Sequence, residues 1–148
     1  MLQVTMHSAE ERDCALLALL NRELILAEQS DNVMSYVMLK ERMQTFLRGT
    51  YRAWIFRVDS VIIGYALVDV GVVPHYLRQF CILESMRGKG YGRAAFSELS
   101  RMVGQNDFEI DVLVWNAAGA AFWHKMGFVP RYTRMRMEAG PSGRNTEL

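Results

Sequence analysis

The run Arg87-Gly88-Lys89-Gly90-Tyr91-Gly92-Arg93 alternates glycines with basic residues, with one tyrosine among them, inside a single turn. Glycine reaches positive φ without Cβ strain and lets the main chain approach a ligand closely. An apolar, strand-like segment, Tyr76 to Ile82, precedes the run, and a helix-like segment, Ala94 to Val103, follows it. The first amides of a helix have no intrahelical partner, and the helix dipole favours negative charge at that end. Arg87, Lys89 and Arg93 add positive side chains around the same turn. This chemistry suits a diphosphate.

Two familiar phosphate motifs are tested and set aside. The pattern Gly-x-x-x-x-Gly-Lys-Ser/Thr does not occur. Gly90-x-Gly92-x-x-Ala95 matches the glycine fingerprint of dinucleotide-binding folds, but that fingerprint needs an acid at the end of the next strand to hold a ribose. Here Glu109 and Asp111 open the next strand, which ends on Trp115-Asn116, so a nicotinamide-dependent oxidoreductase is disfavoured.

The surrounding pattern predicts the elements that carry the run. Leu2 to Met6 reads as a strand. Ser8 and Glu11 have capping-box spacing ahead of Cys14, Leu17, Leu20 and Leu24, which recur at helical period. Ser35 caps a second helix with Tyr36, Leu39, Met43, Phe46 and Leu47 on one face, closed by Gly49. Trp54, Phe56 and Val58 then alternate, Asp59-Ser60 turns, and Val61 to Val70 forms the next strand. Gly71 to Pro74 turns the chain into Tyr76–Ile82, completing an antiparallel meander. The helix after the glycine run points Ala95, Leu99, Met102 and Val103 inward and stops at Gly104. Phe108 to Trp115 is expected as a strand parallel to Tyr76–Ile82, because the chain crosses back over a helix. Asn116 caps a short helix ended by Gly127, and Tyr132 to Glu138 is expected as the last strand. The fold class is α/β: a mixed, mostly antiparallel sheet with a central parallel strand pair, flanked by helices. Ligands favour the carboxyl ends of such strands.

Composition bounds the function. The 148 residues suit one domain, assigned to 1–139, with 140–148 as a flexible tail. A formal charge of +1 argues against bulk nucleic-acid or membrane-surface binding. No apolar run is long enough for a membrane span, and the start lacks a signal pattern, so a cytoplasmic location is expected. Cys14 and Cys81 sit in apolar patterns without redox spacing and read as reduced, buried thiols. His75 and His124 are isolated, so no metal site is expected. Arg131, Arg134 and Arg136 at the end of the chain read as a solvated or interface face.

Two blocks together resemble a known family. Phe80-Cys81-Ile82 followed by Arg87-x-x-Gly90-x-Gly92 is similar to the acetyl-CoA signature of the GNAT N-acetyltransferases. Asn116 to Phe128, with Phe122-Trp123-His124-Lys125-Met126-Gly127, resembles that family's second block. The resemblance covers the chain to about Ala139 and implies the GNAT acyl-CoA N-acyltransferase fold, whose parallel strands splay to admit acetyl-CoA. It implies that the amides of Gly88, Lys89, Gly90, Tyr91, Gly92 and Arg93 bind the CoA pyrophosphate, with Arg87 ordering the loop. Main-chain groups of Phe80, Cys81 and Ile82 would pair with the pantetheine arm. An amide near Cys81 or Ile82 would polarise the thioester carbonyl, and Asn116 would contact the cosubstrate from the far wall. A primary amine on a small molecule or protein would then attack acetyl directly.

The resemblance also marks two departures. Trp123 stands where many members have a tyrosine that protonates the CoA thiolate, and an indole N–H is no useful acid. Tyr76 stands where some members carry a glutamate base. Tyr76, Glu84 and Asp111, with His75, are the nearby titratable groups, and the base stays unassigned. The alternative suggested by Trp123 is a CoA-binding sensor or partner module with little catalysis. In this family the acceptor is set around the first two helices, here Gln29 to Ser35, and by the turn at Val72 to His75, with Met34, Met38 and Met43 as candidate pocket residues. Dimers are common in the family, so a homodimer is open.

Overall fold

The computed structural model describes residues 3–139. The tail expected over 140–148 and the first residue of the expected opening strand, Leu2, lie outside the described residues. The chain forms β1 (Thr5–Ser8), α1 (Cys14–Ala27), α2 (Tyr36–Arg48), β2 (Tyr51–Val58), β3 (Val61–Asp69), β4 (His75–Ile82), α3 (Tyr91–Val103), β5 (Phe108–Glu109) and α4 (Ala117–Lys125). The five strands stand in chain order in one sheet. All neighbours are antiparallel except β4 and β5, which run parallel. The mixed sheet with one parallel pair is thus the one read from the pattern, but that pair lies at the edge of the sheet rather than at its centre, because the expected last strand does not join it.

Strand alternation divides the core into two layers. Ala53 and Ile55 of β2 face α1 and α2, where they pack with Leu17, Leu24, Met43, Tyr65, Leu67 and Cys81. Trp54 and Phe56 face the other way and pack with Ala66, Val68, Leu77, Ala95, Leu99 and Phe108 under α3. Cys14, Leu17, Leu20 and Leu24 are all buried, as their helical spacing demands. Ser35 caps α2 as expected, its Oγ accepting from the Met38 amide at 3.2 Å.

Several expectations shift. Ser8 lies in β1 opposite Trp54, so it cannot cap α1. A capping box of Glu10 and Asp13 instead opens a 3-10 turn, Glu11–Asp13, that leads directly into α1, and there Asp13 Oδ2 accepts from the Glu10 amide at 2.8 Å. Met43 is core, and Met38 is 50% exposed. Met102 lies on the solvent side of α3, 42% exposed. The strand expected over 108–115 keeps only Phe108 and Glu109, because β4 diverges from it beyond the pair Tyr76↔Glu109. The last strand does not form: residues 129–139 are all exposed and carry no strand pairing.

Gly64 fixes how closely β3 approaches β4. A Cβ there would fall 1.9 Å from the Cys81 carbonyl oxygen, which is main chain and cannot swing aside. Gly64→Ala is expected to lower stability by about 3 kcal/mol or more, read from denaturant unfolding. A change under about 0.5 kcal/mol would show that the strands separate freely there.

Candidate functional site

Parallel pairing between β4 and β5 holds only at His75↔Phe108 and Tyr76↔Glu109. Beyond it, β4 stays bonded to β3 on one side and opens a cleft on the other. Which main-chain groups face that cleft follows from strand alternation. The Leu83 amide donates to Ile63 O at 2.8 Å, so Leu83 and Cys81 turn their main chain to β3. Phe80 and Ile82 therefore present theirs to the cleft. The role expected for the Cys81 amide must be corrected: its main chain faces β3, and its side chain is 2% exposed in the core beside α1. Burial raises the Cys81 pKa to about 11, outweighing the opposing pull of Arg87.

The glycine run stands at the carboxyl end of β4. Gly88 and Gly90 take φ of 75° and 86°, so both occupy the left-handed region that their lack of a Cβ permits. Helix α3 starts at Tyr91, three residues earlier than its apolar pattern suggested, so its free amides fall inside the run itself. Arg87 Nε donates to Ile82 O at 2.7 Å, tying the loop back to β4. Lys89 and Arg93 are exposed, and Tyr91 packs on the core under α3. Gly92 lies against the next block: a Cβ there would meet the Phe122 ring at 2.9 Å.

The far wall is held by α4. Asn116 Oδ1 accepts from the Gly119 amide at 3.0 Å, so the residue caps the helix. Trp123 stands in a cluster of rings, with centroids 5.1 Å from Phe80, 5.5 Å from Phe96 and 5.1 Å from Phe128. Edge-to-face rings at these spacings add to their burial. Trp123 thus fastens α4 to β4 and α3. Trp115 Nε1 crosses the molecule to donate to Glu28 O, the main chain at the end of α1, at 3.1 Å.

The titratable candidates separate. Tyr76 donates to Asp111 Oδ2 at 2.7 Å, bridging the point where the strands part. Burial and that carboxylate both raise the Tyr76 pKa, so the phenol stays protonated and cannot serve as a base at neutral pH. Glu84 is exposed in a short 3-10 turn ahead of the glycine run. His75 Nδ1 lies 2.7 Å from Val72 O. Two groups escaped the sequence reading. Glu28 has its carboxyl pKa raised by burial, and its charge reaches both Cys81 and Tyr65. Arg42 projects from the buried face of α2, its Nε without a partner among the described residues. Arg42 and Arg78 both lie against Phe46, 5.5 and 4.9 Å from its ring centroid. Only Arg42 gave a sequence signal, a charge three residues after Leu39 on an apolar face.

A depression of about 630 Å³ lies elsewhere, along α3 beside Met126, and meets the loop only at Arg93. Among the described residues no metal-binding cluster occurs, and no helix is long and apolar enough to cross a membrane.

Comparison with known proteins bears on the same elements. The family model of the acetyltransferase (GNAT) domain matches residues 12–141. The chain belongs to the GNAT acetyltransferase family. This GNAT chain is similar in fold to the PaiA N-acetyltransferase of Thermoplasma acidophilum in complex with coenzyme A, at 16% identity, TM-score 0.71, and 89% and 93% coverage of this chain and that one. A predicted acetyltransferase of Clostridium acetobutylicum with acetyl-CoA matches at 14% identity and TM-score 0.70, covering 92% and 96% of the two chains. The ribosomal-protein-alanine N-acetyltransferase of Brucella melitensis biovar Abortus 2308 matches at 12% identity and TM-score 0.69, covering 92% and 99%. At these identities the likeness is one of fold. No curated protein matches the sequence.

Two tests follow from the geometry. Gly90→Val places a β-branched residue at positive φ, a strain of about 1–3 kcal/mol, and fills the cradle. Acetyl-CoA affinity by calorimetry should fall about tenfold or more in a variant whose circular dichroism is unchanged; unaltered affinity would remove the loop from the site. Cys81, buried and protonated, should resist iodoacetamide at pH 8 in the native protein and react on unfolding. Fast native alkylation would contradict its place in the core.

Proposed function

We propose that this GNAT acetyltransferase carries acetyl from acetyl-CoA to a primary amine. The observation that carries this reading is the open edge of β4, where the Phe80 main chain and the Ile82 amide have no strand partner among the described residues, beside a glycine cradle. An extended pantetheine would use those groups as an added strand does. The diphosphate would meet the amides at the start of α3, with Lys89 and Arg93 supplying charge. The Ile82 or Phe80 amide would donate to the thioester oxygen as negative charge develops on it.

Glu28 is the base in this proposal. Its raised pKa brings a carboxylate closer to neutral pH, where a general base works best. Glu28 takes the proton from the ammonium, the free amine attacks the thioester carbonyl, and the C–S bond breaks as the C–N bond forms. The attacking nitrogen then gives up its second proton to water, and water delivers a proton to the CoA thiolate, so that both the amide and the thiol leave neutral; a thiol of pKa about 8.5 is a tolerable leaving group. Trp123, packed among rings, has no part in that step. Arg42 and Arg78 lie on the α2 side of β4 without a carboxylate partner among the described residues. They disfavour polycations and favour an amine that also bears an acidic group.

Glu28→Gln should lower kcat about 10²-fold or more while keeping acetyl-CoA affinity, and Glu28→Asp should recover part of the loss. A base must be unprotonated, so wild-type kcat should fall as pH drops through the raised Glu28 pKa, and that limb should vanish in Glu28→Gln. An unaltered pH profile would exclude Glu28. Thiol release from acetyl-CoA, followed across amines with and without a carboxylate, tests the acceptor. Binding of acetyl-CoA with no amine-dependent thiol release would favour the sensor module.

A further inference from the structure

The α2 side of β4 carries more positive charge than the described residues neutralise. Arg42 projects from α2 and Arg78 stands on the bulge of β4, and both guanidiniums lie over the Phe46 ring, 5.5 and 4.9 Å from its centroid. Each commits one nitrogen within the chain. Arg42 donates to Asn21 Oδ1 at 3.0 Å, and Arg78 donates to the Tyr51 hydroxyl at 3.3 Å. Neither forms an ion pair among the described residues. The Arg42 Nε is buried there without a hydrogen-bond partner. Burial and the charge of Arg78 both lower the Arg42 pKa, as like charges held together out of water must.

The surroundings hold Arg42 in place despite that cost. Its partner Asn21 is buried and lies beside the fully buried Tyr65, whose hydroxyl donates to Gln79 Oε1 at 2.7 Å. The contacts thus run from α2 through α1 and β3 to β4, and they end next to Arg78. Phe46 packs on Tyr51 with ring centroids 4.6 Å apart, so the two rings make one apolar floor. A guanidinium carries five donors in a planar fork that matches the two oxygens of a carboxylate. Two such forks at one ring, with a buried N–H to spare, suit a planar acid. Tyr65 also lies within charge reach of both Arg42 and Glu28, so the cations and the proposed base share one neighbourhood.

We infer that Arg42 and Arg78 form a carboxylate subsite, and that the acceptor is a free α-amino acid held there by its carboxylate with its amine toward Glu28. The subsite stands on its own, whereas the acceptor class rests on the acetyl-transfer reading. A carboxylate at Phe46 gives the Arg42 Nε its missing acceptor and offsets the repulsion between the two cations. A polyamine would bring further positive charge to the same place. A protein terminus has an uncharged amide where the carboxylate is needed. Both are selected against.

Two readouts on the full chain separate the subsite from the reaction. In nuclear magnetic resonance the Arg42 Nε–H signal, assigned by its absence in Arg42→Lys, should shift saturably with propionate and little with chloride at equal ionic strength. Arg78→Gln should weaken propionate binding about tenfold. Arg78 is exposed, and circular dichroism should show that variant folded. Amine-dependent thiol release should favour α-amino acids over the amines left by their decarboxylation, about 10²-fold or more in kcat/KM. In Arg78→Gln that preference should shrink about tenfold or more, and Arg78→Lys should restore part of it. An Arg42 signal that ignores propionate would overturn the subsite, whether or not acetyl is transferred. Equal turnover of amino acids and decarboxylated amines would overturn the acceptor class and leave acetyl transfer intact. Propionate binding with no amine-dependent thiol release would uphold the subsite and overturn acetyl transfer, together with the acceptor class that rests on it.

Discussion

The structure turns on one strand that is bonded on a single side. Strand β4 is locked to β3 along its length, yet it shares only two residue pairs with its parallel neighbour β5. A main-chain amide or carbonyl left in a partly buried place needs a partner. The protein supplies one in Arg87, whose Nε donates to the Ile82 carbonyl, and the rest of that edge has no strand partner among the described residues. The cleft is thus a gap in a hydrogen-bond ladder.

Everything around the gap keeps it open and aligned. Gly64 lets β3 press close behind Cys81, which holds β4 from the rear. The rings of Phe80, Phe96, Phe122, Trp123 and Phe128 join α3, α4 and β4 on one face. On the other face Tyr65, fully buried, donates to Gln79 Oε1 at 2.7 Å and ties β3 to β4 beneath α1 and α2. The register slips between Leu67 and Val68, opposite Gln79 and Leu77, so Arg78 is extra on β4. A bulge of this kind bends a strand and re-aims side chains. It brings Arg78 beside Phe46 and Tyr51 on the α2 side.

The order of the elements was legible because each rests on local signals. Ser35 capped α2, Asp59-Ser60 formed the turn between β2 and β3, and Gly104 ended α3 in the left-handed conformation. The glycine loop was legible for the same reason, since φ at Gly88 and Gly90 is a property of those residues. Long-range facts were hidden. Nothing local says that β5 loses its partner after Glu109, or that Tyr132 to Glu138 pairs with no strand among the described residues. Strand patterns record an aptitude for pairing, and the partner is a matter of the whole fold. Glu28 was missed because its carboxyl is perturbed by burial at the end of α1, which no motif announces.

The central claim is that acetyl-CoA completes the ladder on the open side of β4. Amide hydrogen exchange, resolved by residue with and without acetyl-CoA, tests it most directly. In the free protein the Cys81 amide should already be protected by β3, while those of Phe80 and Ile82 exchange faster. Addition of acetyl-CoA should slow Phe80 and Ile82, and the amides of 91–93, leaving Cys81 little changed. Binding that protects none of these amides would contradict the account, because the ligand would then lie outside the gap.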